Sequence, residues 1–398
     1  MIIIQASSKS YLGSPDKSVM EIDGEMVVQR LVSKLLREVD NDIVIAAPEW
    51  DRGGRFDSLK EAIKTDRLRV YYGSADSPLD RLLGATQGMQ GHQYVCRIDG
   101  LNLFLRAEDI FRMFEKAEGE HLDVVKFPDD FPPAFGCDVY RVGALRKMKE
   151  LKPEQVFWIH PKFYMFKNPA VFKCAFYTRF RAFDDDYLRL ARETMRPAYD
   201  FKRLDVEENE SKYNVPAANQ ISFHYKLAQE RLGDGKTILD LACGNGFGSR
   251  LLASNKTNNF LGVDLDSDVI DEAVALSQEY SNIRFEAVDV FENKFENESF
   301  DVILAFEIIE HVPPARLLAE IRRLLKRGGE VYLSTPQSSL GHIPICYDHV
   351  KEYSAAELKG MVEKEFLIKE FFGIKQGNII FYNDVIGNNS FLVAEKSM

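Results

Sequence analysis

The sequence predicts an α/β protein of two domains. Short apolar runs that read as strands alternate with amphipathic helix patterns along both halves. The length, 398 residues, favours two or three domains with sizeable cores. Between the halves, Arg203 to Pro216 is charged and polar with few large apolar residues, the composition of a linker. These observations divide the chain into residues 1–197, a linker at 198–216, and residues 217–398.

The first half opens on Ile2 to Gln5, a first strand, followed by a polar loop from Ala6 to Asp16 and then Lys17. Residues 25–37 place Val27, Val28, Leu31, Leu35 and Leu36 along one helical face. Ile43 to Ala47, Leu68 to Tyr72 and Tyr94 to Ile98 are apolar runs of strand length, with a helix expected from Asp80 to Met89. Tyr187 to Met195 reads as a closing helix.

The segments Gln5-Ala6, Pro15-Asp16-Lys17, Gly73 to Asp76, Leu79-Asp80-Arg81 and Arg97 to Asn102 follow one another in a recognisable order. That order is similar to the nucleotidyltransferases that activate sugars with CTP, including the CMP-KDO synthetases and the spore-coat polysaccharide type. Gly136 to Val139 and Asp184 to Leu188 fit later parts of the pattern, so the resemblance covers about residues 1–195. It implies a Rossmann-type, glycosyltransferase-A-like sheet, with Lys17, Arg97, Asp99 and Asp184 facing a nucleotide and Mg²⁺. Here the sequence departs from the family. Its first loop, Ser7 to Ser14, lacks the family's arginines, Leu101 falls on the first metal aspartate and Phe183 on the second. Mg²⁺ takes hard oxygen ligands, one or two of them protein carboxylates. A degenerate domain that binds substrate or mediates assembly is therefore expected, since a fold can outlive its chemistry. The alternative is that Asp99 and Asp184 have taken over the metal and the domain is active.

In the second half, Gln220 to Ala228 forms an amphipathic helix whose aromatics either cap a ligand pocket or pack in the core. Thr237 to Leu241 is a buried-strand run that meets Gly244-Asn245-Gly246-Phe247-Gly248, and a helix pattern follows from Ser249. A glycine-rich turn between strand and helix brings backbone close to a ligand. A dinucleotide fingerprint would need its last small residue at Ser249; what stands here is G-x-G-x-G after Asp240. Further strands end in Asp264, about 20 residues on, in Asp289, and in Phe306-Glu307; Gly328-Gly329 then leads into Glu330 to Pro336. In order and spacing this resembles the class I S-adenosylmethionine-dependent methyltransferases, and implies a seven-stranded sheet closed by an antiparallel strand at Leu392 to Glu395.

By that resemblance Asp240, Ala242, Gly244, Asn245 and Gly246 hold the methionine end of S-adenosylmethionine. Asp264, followed by Leu265, accepts the ribose hydroxyls, Asp289 takes the adenine amino group, Val290 stacks on the ring, and Phe306 borders the pocket. Ala242 stands where the family often has glycine. The plain alternatives are an exposed loop acid for Asp264 and a helix N-cap for Asp289. For the base, His311 follows Glu307 and Glu310 beyond the fourth strand, over the reactive methyl in this family. His349 lies in a stretch, Tyr347 to Ser354, resembling methyltransferases of glycan biosynthesis. Histidine titrates near neutrality, so either suits a hydroxyl proton, and each has the alternative of a structural helix cap. No metal constellation is read: His342 and His349 lie seven apart with no third ligand in view.

A formal net charge of −11 argues against a duplex nucleic-acid surface. Five scattered cysteines without C-x-x-C spacing suit reduced thiols, no apolar run approaches a membrane span, and no signal peptide is read, so a cytoplasmic location is expected. The expected activity is methyl transfer to a sugar, nucleotide-sugar or surface-glycan precursor, with a homodimer possible. Its rivals are a bifunctional enzyme with an active, Mg²⁺-dependent cytidylyltransferase domain and a quinone-type small-molecule O-methyltransferase.

Overall fold

The computed structural model describes residues 1–9, 16–89, 93–199 and 220–397. The expected linker from residue 200 onward, and residues 10–15 of the first loop, lie outside the described residues. The chain forms two compact units, Met1–Ala198 and Tyr199–Met398.

The first unit contains β1 (Ile2–Gln5), β2 (Glu21–Ile22), β3 (Glu25–Met26), β4 (Ile43–Pro48), β5 (Leu68–Gly73), β6 (Tyr94–Asp99), β7 (Val124–Lys126), β8 (Asp138–Arg141) and β9 (Cys174–Phe176). Its main sheet is seven-stranded, in the order β5-β4-β1-β6-β8-β7-β9, with β2 and β3 pairing apart from it. The first four of these run parallel, and β8 is antiparallel to both neighbours. Every residue of β1 and β4 is buried, which is why these strands are continuous apolar runs and do not alternate. The helix Val27–Glu38 buries Val27, Val28, Leu31, Val32 and Leu35, so Val32 completes the face where Leu36 was expected. The expected helix 80–89 instead spans Pro78–Ala85. The Ser77 hydroxyl accepts from the Asp80 N–H and Pro78 occupies the first turn, so it starts early.

The second unit is built on β10 (Thr237–Leu241), β11 (Asn259–Asp264), β12 (Ile283–Ala287), β13 (Phe300–Phe306), β14 (Leu325–Pro336), β15 (Leu367–Lys375), β16 (Ile379–Ile380) and β17 (Asn389–Glu395). Their order is β12-β11-β10-β13-β14-β17-β15-β16. The sheet thus has eight strands where seven were expected, because the two residues of β16 pair with Ile374 and Lys375 at the edge. The strand expected at Leu392 to Glu395 is β17, which runs antiparallel to β14 and β15. Strands β10 to β14 are parallel. The chain winds outward through β10, β11 and β12, then returns to lay β13 against the other side of β10. Beside such a reversal the crossovers leave in opposite directions and open a crevice at the carboxyl ends of the strands. Among the described residues no helix is long and apolar enough to cross a membrane.

Candidate functional site

The crevice is floored by the turn after β10. Ala242, Gly244 and Gly246 all adopt left-handed backbone, with φ of 55°, 58° and 75°. That conformation is strained for a residue with a Cβ, which accounts for the glycine-rich sequence and leaves Ala242 as the strained member. The turn is tied down from two sides: Cys243 N–H donates to the Val263 carbonyl, and Gly244 N–H donates to Asp264 Oδ2 at 3.0 Å. Asp264 Oδ1 accepts from Asp266 N–H at 3.1 Å, so this carboxylate closes the end of β11 onto the glycine turn. Asn245 reaches Glu272 at 3.2 Å, and its carbonyl accepts from Arg250 at 2.6 Å.

Asp240 is fully buried. Its carboxylate accepts from the Tyr225 hydroxyl at 3.0 Å and from the Ser249 hydroxyl at 2.7 Å, linking the helix Gln220–Gln229 to the helix Phe247–Leu252. The Tyr225 ring fills the space above Gly248, where an added Cβ would stand 2.0 Å from a ring carbon. Of the two alternatives for this helix's aromatics, Tyr225 takes core packing around the turn. Ser249 was not expected at the site from sequence, and the bond of Tyr225 to Asp240 was not either, since their common partner is visible only in three dimensions.

Burial, with Asp264 adding to it, pushes the Asp240 carboxyl up to about 7 against the hydroxyl donors, from an ordinary value of 3.8. The folded state then holds this proton more tightly than the unfolded chain, so stability falls as pH rises from about 4 through about 7. The upper limit of that loss is ~4 kcal/mol. Asp240→Asn is expected to flatten this part of the curve. Urea melts of parent and variant between pH 4 and 8 that decline in parallel would overturn it.

Leu265 is 75% exposed at the end of β11. Asp289 Oδ1 accepts from Phe291 N–H at 2.8 Å, the local turn that stands in place of the helix cap, and Val290 packs partly buried against the core. Phe306 is buried and meets Tyr225 edge-on at 5.0 Å between centroids.

A second group sits past the end of β13, next to the glycine turn because β10 and β13 are neighbours. Glu307 has φ of 53°, an unfavourable backbone for this residue. Its carboxylate accepts from Ser334 at 2.8 Å and Asn389 at 3.0 Å, anchoring it to the ends of β14 and β17. His224, buried, bonds the same Ser334 hydroxyl at 3.0 Å. Glu310 is 1% exposed; Oε2 accepts from Thr335 at 2.8 Å, and Oε1 has no hydrogen-bond partner. Burial first, and Glu307 second, push its carboxyl up to about 8.

His311 and His349, far apart in sequence, pack edge-on with centroids 4.8 Å apart. His311 Nδ1 lies 3.1 Å from the Asp348 carbonyl oxygen, and His349 Nδ1 lies 2.8 Å from Glu352 Oε1. Burial and the neighbouring His349 charge hold His311 below its ordinary value. Burial alone would lower His349 too, but hydrogen bonds to Cys346 and Glu352 outweigh it and push the ring up to about 10. Near neutral pH the pair is thus one neutral and one cationic imidazole, and neither ring caps a helix.

In the first unit, Arg97 on β6 donates to Gln5 and stands 3.4 Å from Asp138, which Lys162 approaches at 3.2 Å. Asp99, at the end of the same strand, accepts from Leu101 N–H at 3.3 Å, and burial raises its pKa. Lys17 begins the turn Lys17–Val19. Asp184 caps the helix Asp185–Tyr199 by accepting from Tyr187 N–H at 2.8 Å. Phe183 is buried among Phe131, Phe135 and Tyr187, with the Arg106 guanidinium 3.7 Å above its ring.

Residues 232–382 match a family model described as a methyltransferase domain, so the C-terminal half carries a class I S-adenosylmethionine-dependent methyltransferase domain. The chain is 35% identical over 119 residues to the ubiquinone biosynthesis O-methyltransferase of Coxiella burnetii, covering 29% of this chain and 50% of that protein. It is 32% identical over 113 residues to phosphoethanolamine N-methyltransferase 2 of Caenorhabditis elegans, covering 26% of this chain and 25% of the relative. The chain thus spans half the length or less of these curated relatives. A solved structure of a methyltransferase from Methanosarcina mazei aligns at a TM-score of 0.34 and 19% identity, covering 43% of this chain and 97% of that one.

Proposed function

We propose, from the premise of a class I methyltransferase domain in the second half, that this protein transfers the methyl group of S-adenosylmethionine to an oxygen or nitrogen of a polar acceptor. The acceptor class we favour is a sugar, nucleotide-sugar or surface-glycan precursor. The observation that carries the transfer is the adjacency of two constellations on one sheet edge. The glycine turn with Asp264 lies beside the group of Glu307, Glu310, His311 and His349. In this reading Asp240, Ala242, Gly244, Asn245 and Gly246 shape the methionine end. Asp264 and Leu265 meet the ribose, Asp289 and Val290 the adenine, and Phe306 backs the pocket.

S-adenosylmethionine brings an activated methyl, so the hard chemistry belongs to the cofactor. The protein lines up acceptor, methyl and sulfur, a contribution of ~7–11 kcal/mol to the barrier. The acceptor's proton leaves toward the neutral His311 imidazole, beside the cationic His349 ring. Help from such a group is worth ~10²–10⁴ in rate. His311→Ala is therefore expected to lower kcat by about that factor while leaving S-adenosylmethionine affinity within a few-fold of the parent. Unchanged turnover with the true acceptor would remove His311 from the reaction.

The sugar class rests on the first unit. We read it as a nucleotidyltransferase-like module in the cytoplasm that binds substrate or mediates assembly of a homodimer. The engagement of Arg97 with Gln5 and Asp138, the burial of Phe183 at a metal position, and the capping role of Asp184 support a domain without Mg²⁺ chemistry. Sustained pyrophosphate release from CTP, Mg²⁺ and candidate sugars would overturn that and make the protein bifunctional.

A second reading, a quinone-type O-methyltransferase, is favoured by the likeness to the Coxiella burnetii protein. The Caenorhabditis elegans relative bears the name of an N-methyltransferase, so shared cofactor motifs do not fix the acceptor. Incubation with methyl-labelled S-adenosylmethionine and a panel of nucleotide-sugars, glycans and polyphenols, followed by mass analysis, separates the two.

A further inference from the structure

We propose that Glu310, His311 and His349 form a binding site for one divalent transition-metal ion at the acceptor side of the crevice. Each offers one ligand atom, and the three atoms lie within 4.8 Å of one another. His311 Nε2 stands 4.0 Å from Glu310 Oε1. Bound to a metal at ~2.0–2.2 Å, such atoms would sit about 3 Å apart, so closure needs shifts of about an ångström in side-chain torsions.

The independent observation is Glu310 itself. Its Oε1 is buried without a hydrogen-bond partner, in a carboxylate otherwise held by Thr335. A buried polar atom left unpaired is costly, and a cation would satisfy it. The outer contacts are those a metal site uses. The Asp348 carbonyl can only accept, so His311 carries its proton on Nδ1 and turns the Nε2 lone pair toward Glu310. Glu352 orients His349 through Nδ1, and an ion would bind this ring in exchange for the proton that makes it cationic near neutral pH. Carboxylates and carbonyls behind ligating histidines fix the ring and raise its basicity.

Two imidazoles and one carboxylate suit zinc, cobalt, manganese or iron better than magnesium or calcium. Three protein ligands leave coordination positions open. If the methyl-transfer reading holds, an acceptor oxygen would take one of them, and the ion would lower the pKa of that hydroxyl. Its proton would pass to solvent ahead of transfer, and His311 would then serve as a ligand and not as the base.

The test uses the full chain, stripped with a chelator and titrated with Co²⁺ while visible absorption is followed, with Zn²⁺ then added as competitor. About one Co²⁺ per chain should bind and give ligand-field bands that Zn²⁺ abolishes. Loss of a supporting contact typically costs 10–100-fold in affinity, so Glu352→Gln should fall in about that range and Glu310→Gln beyond it. Absence of bands in the parent, or equal affinity in Glu310→Gln, overturns the site. Calorimetry with S-adenosylmethionine on the same samples keeps the two readings apart. Donor uptake without Co²⁺ uptake sinks the metal site alone, whereas Co²⁺ uptake without donor uptake sinks the proposed function and leaves the ion in place.

Discussion

Asp264→Ala should weaken S-adenosylmethionine binding by roughly 10²–10⁴-fold. On the proposed function its carboxylate accepts from both ribose hydroxyls, and hydrogen bonds to a charged group contribute about 1.5–3 kcal/mol each. The structure adds a second loss, because the same carboxylate holds the Gly244 N–H at 3.0 Å and so shapes the turn under the ligand. Asp264→Asn keeps an oxygen for that N–H but removes the charge, and should fall between alanine and the parent. Titration calorimetry with S-adenosylmethionine and its demethylated product reads all three. An alanine variant within three-fold of the parent, a margin of about 0.7 kcal/mol, would end the cofactor assignment.

Gly246→Ala and Gly244→Ala are expected to fail in different ways. At Gly246 a new Cβ would meet the Phe285 ring at 2.4 Å and Ala273 at 3.3 Å, on backbone with φ of 75°. Overpacking costs ~1–3 kcal/mol and left-handed strain adds ~1–2 kcal/mol, so this variant should lose about 2–5 kcal/mol of stability. At Gly244, with φ of 58°, the Cβ meets nothing within 4 Å. Only the strain remains, and the methyl projects into the space where the proposed cofactor approaches. Gly244→Ala should therefore melt within ~2 kcal/mol of the parent yet bind S-adenosylmethionine poorly. Chemical denaturation paired with calorimetry separates the two, and equal destabilisation of both variants would refute the distinction between a packing glycine and an approach glycine.

The strands that carry the site were legible because buried parallel strands leave unbroken apolar runs, as in Thr237–Leu241 and Phe300–Phe306. Their order was legible only through resemblance. The eighth strand, β16, escaped because two residues carry no periodicity. The helix expected at 80–89 began early for a readable reason, the Ser77-Pro78 start, which carried less weight than the apolar pattern. His311 and His349 were singled out as competitors for one role, whereas the fold sets their rings in contact. Nothing local marked Tyr225 or Ser249 as the partners of Asp240.

The sequence by itself determined the strand–turn–helix units, the left-handed glycine turn and the acids that end the strands, because each depends on neighbours within a few residues. The tertiary structure alone decided that Glu310 is buried with one oxygen unpaired, that two histidines 38 positions apart share its corner, and that Tyr225 packs over Gly248. Desolvation and side-chain contact arise between segments remote in the chain, so they take a value only once the sheet has brought those segments together.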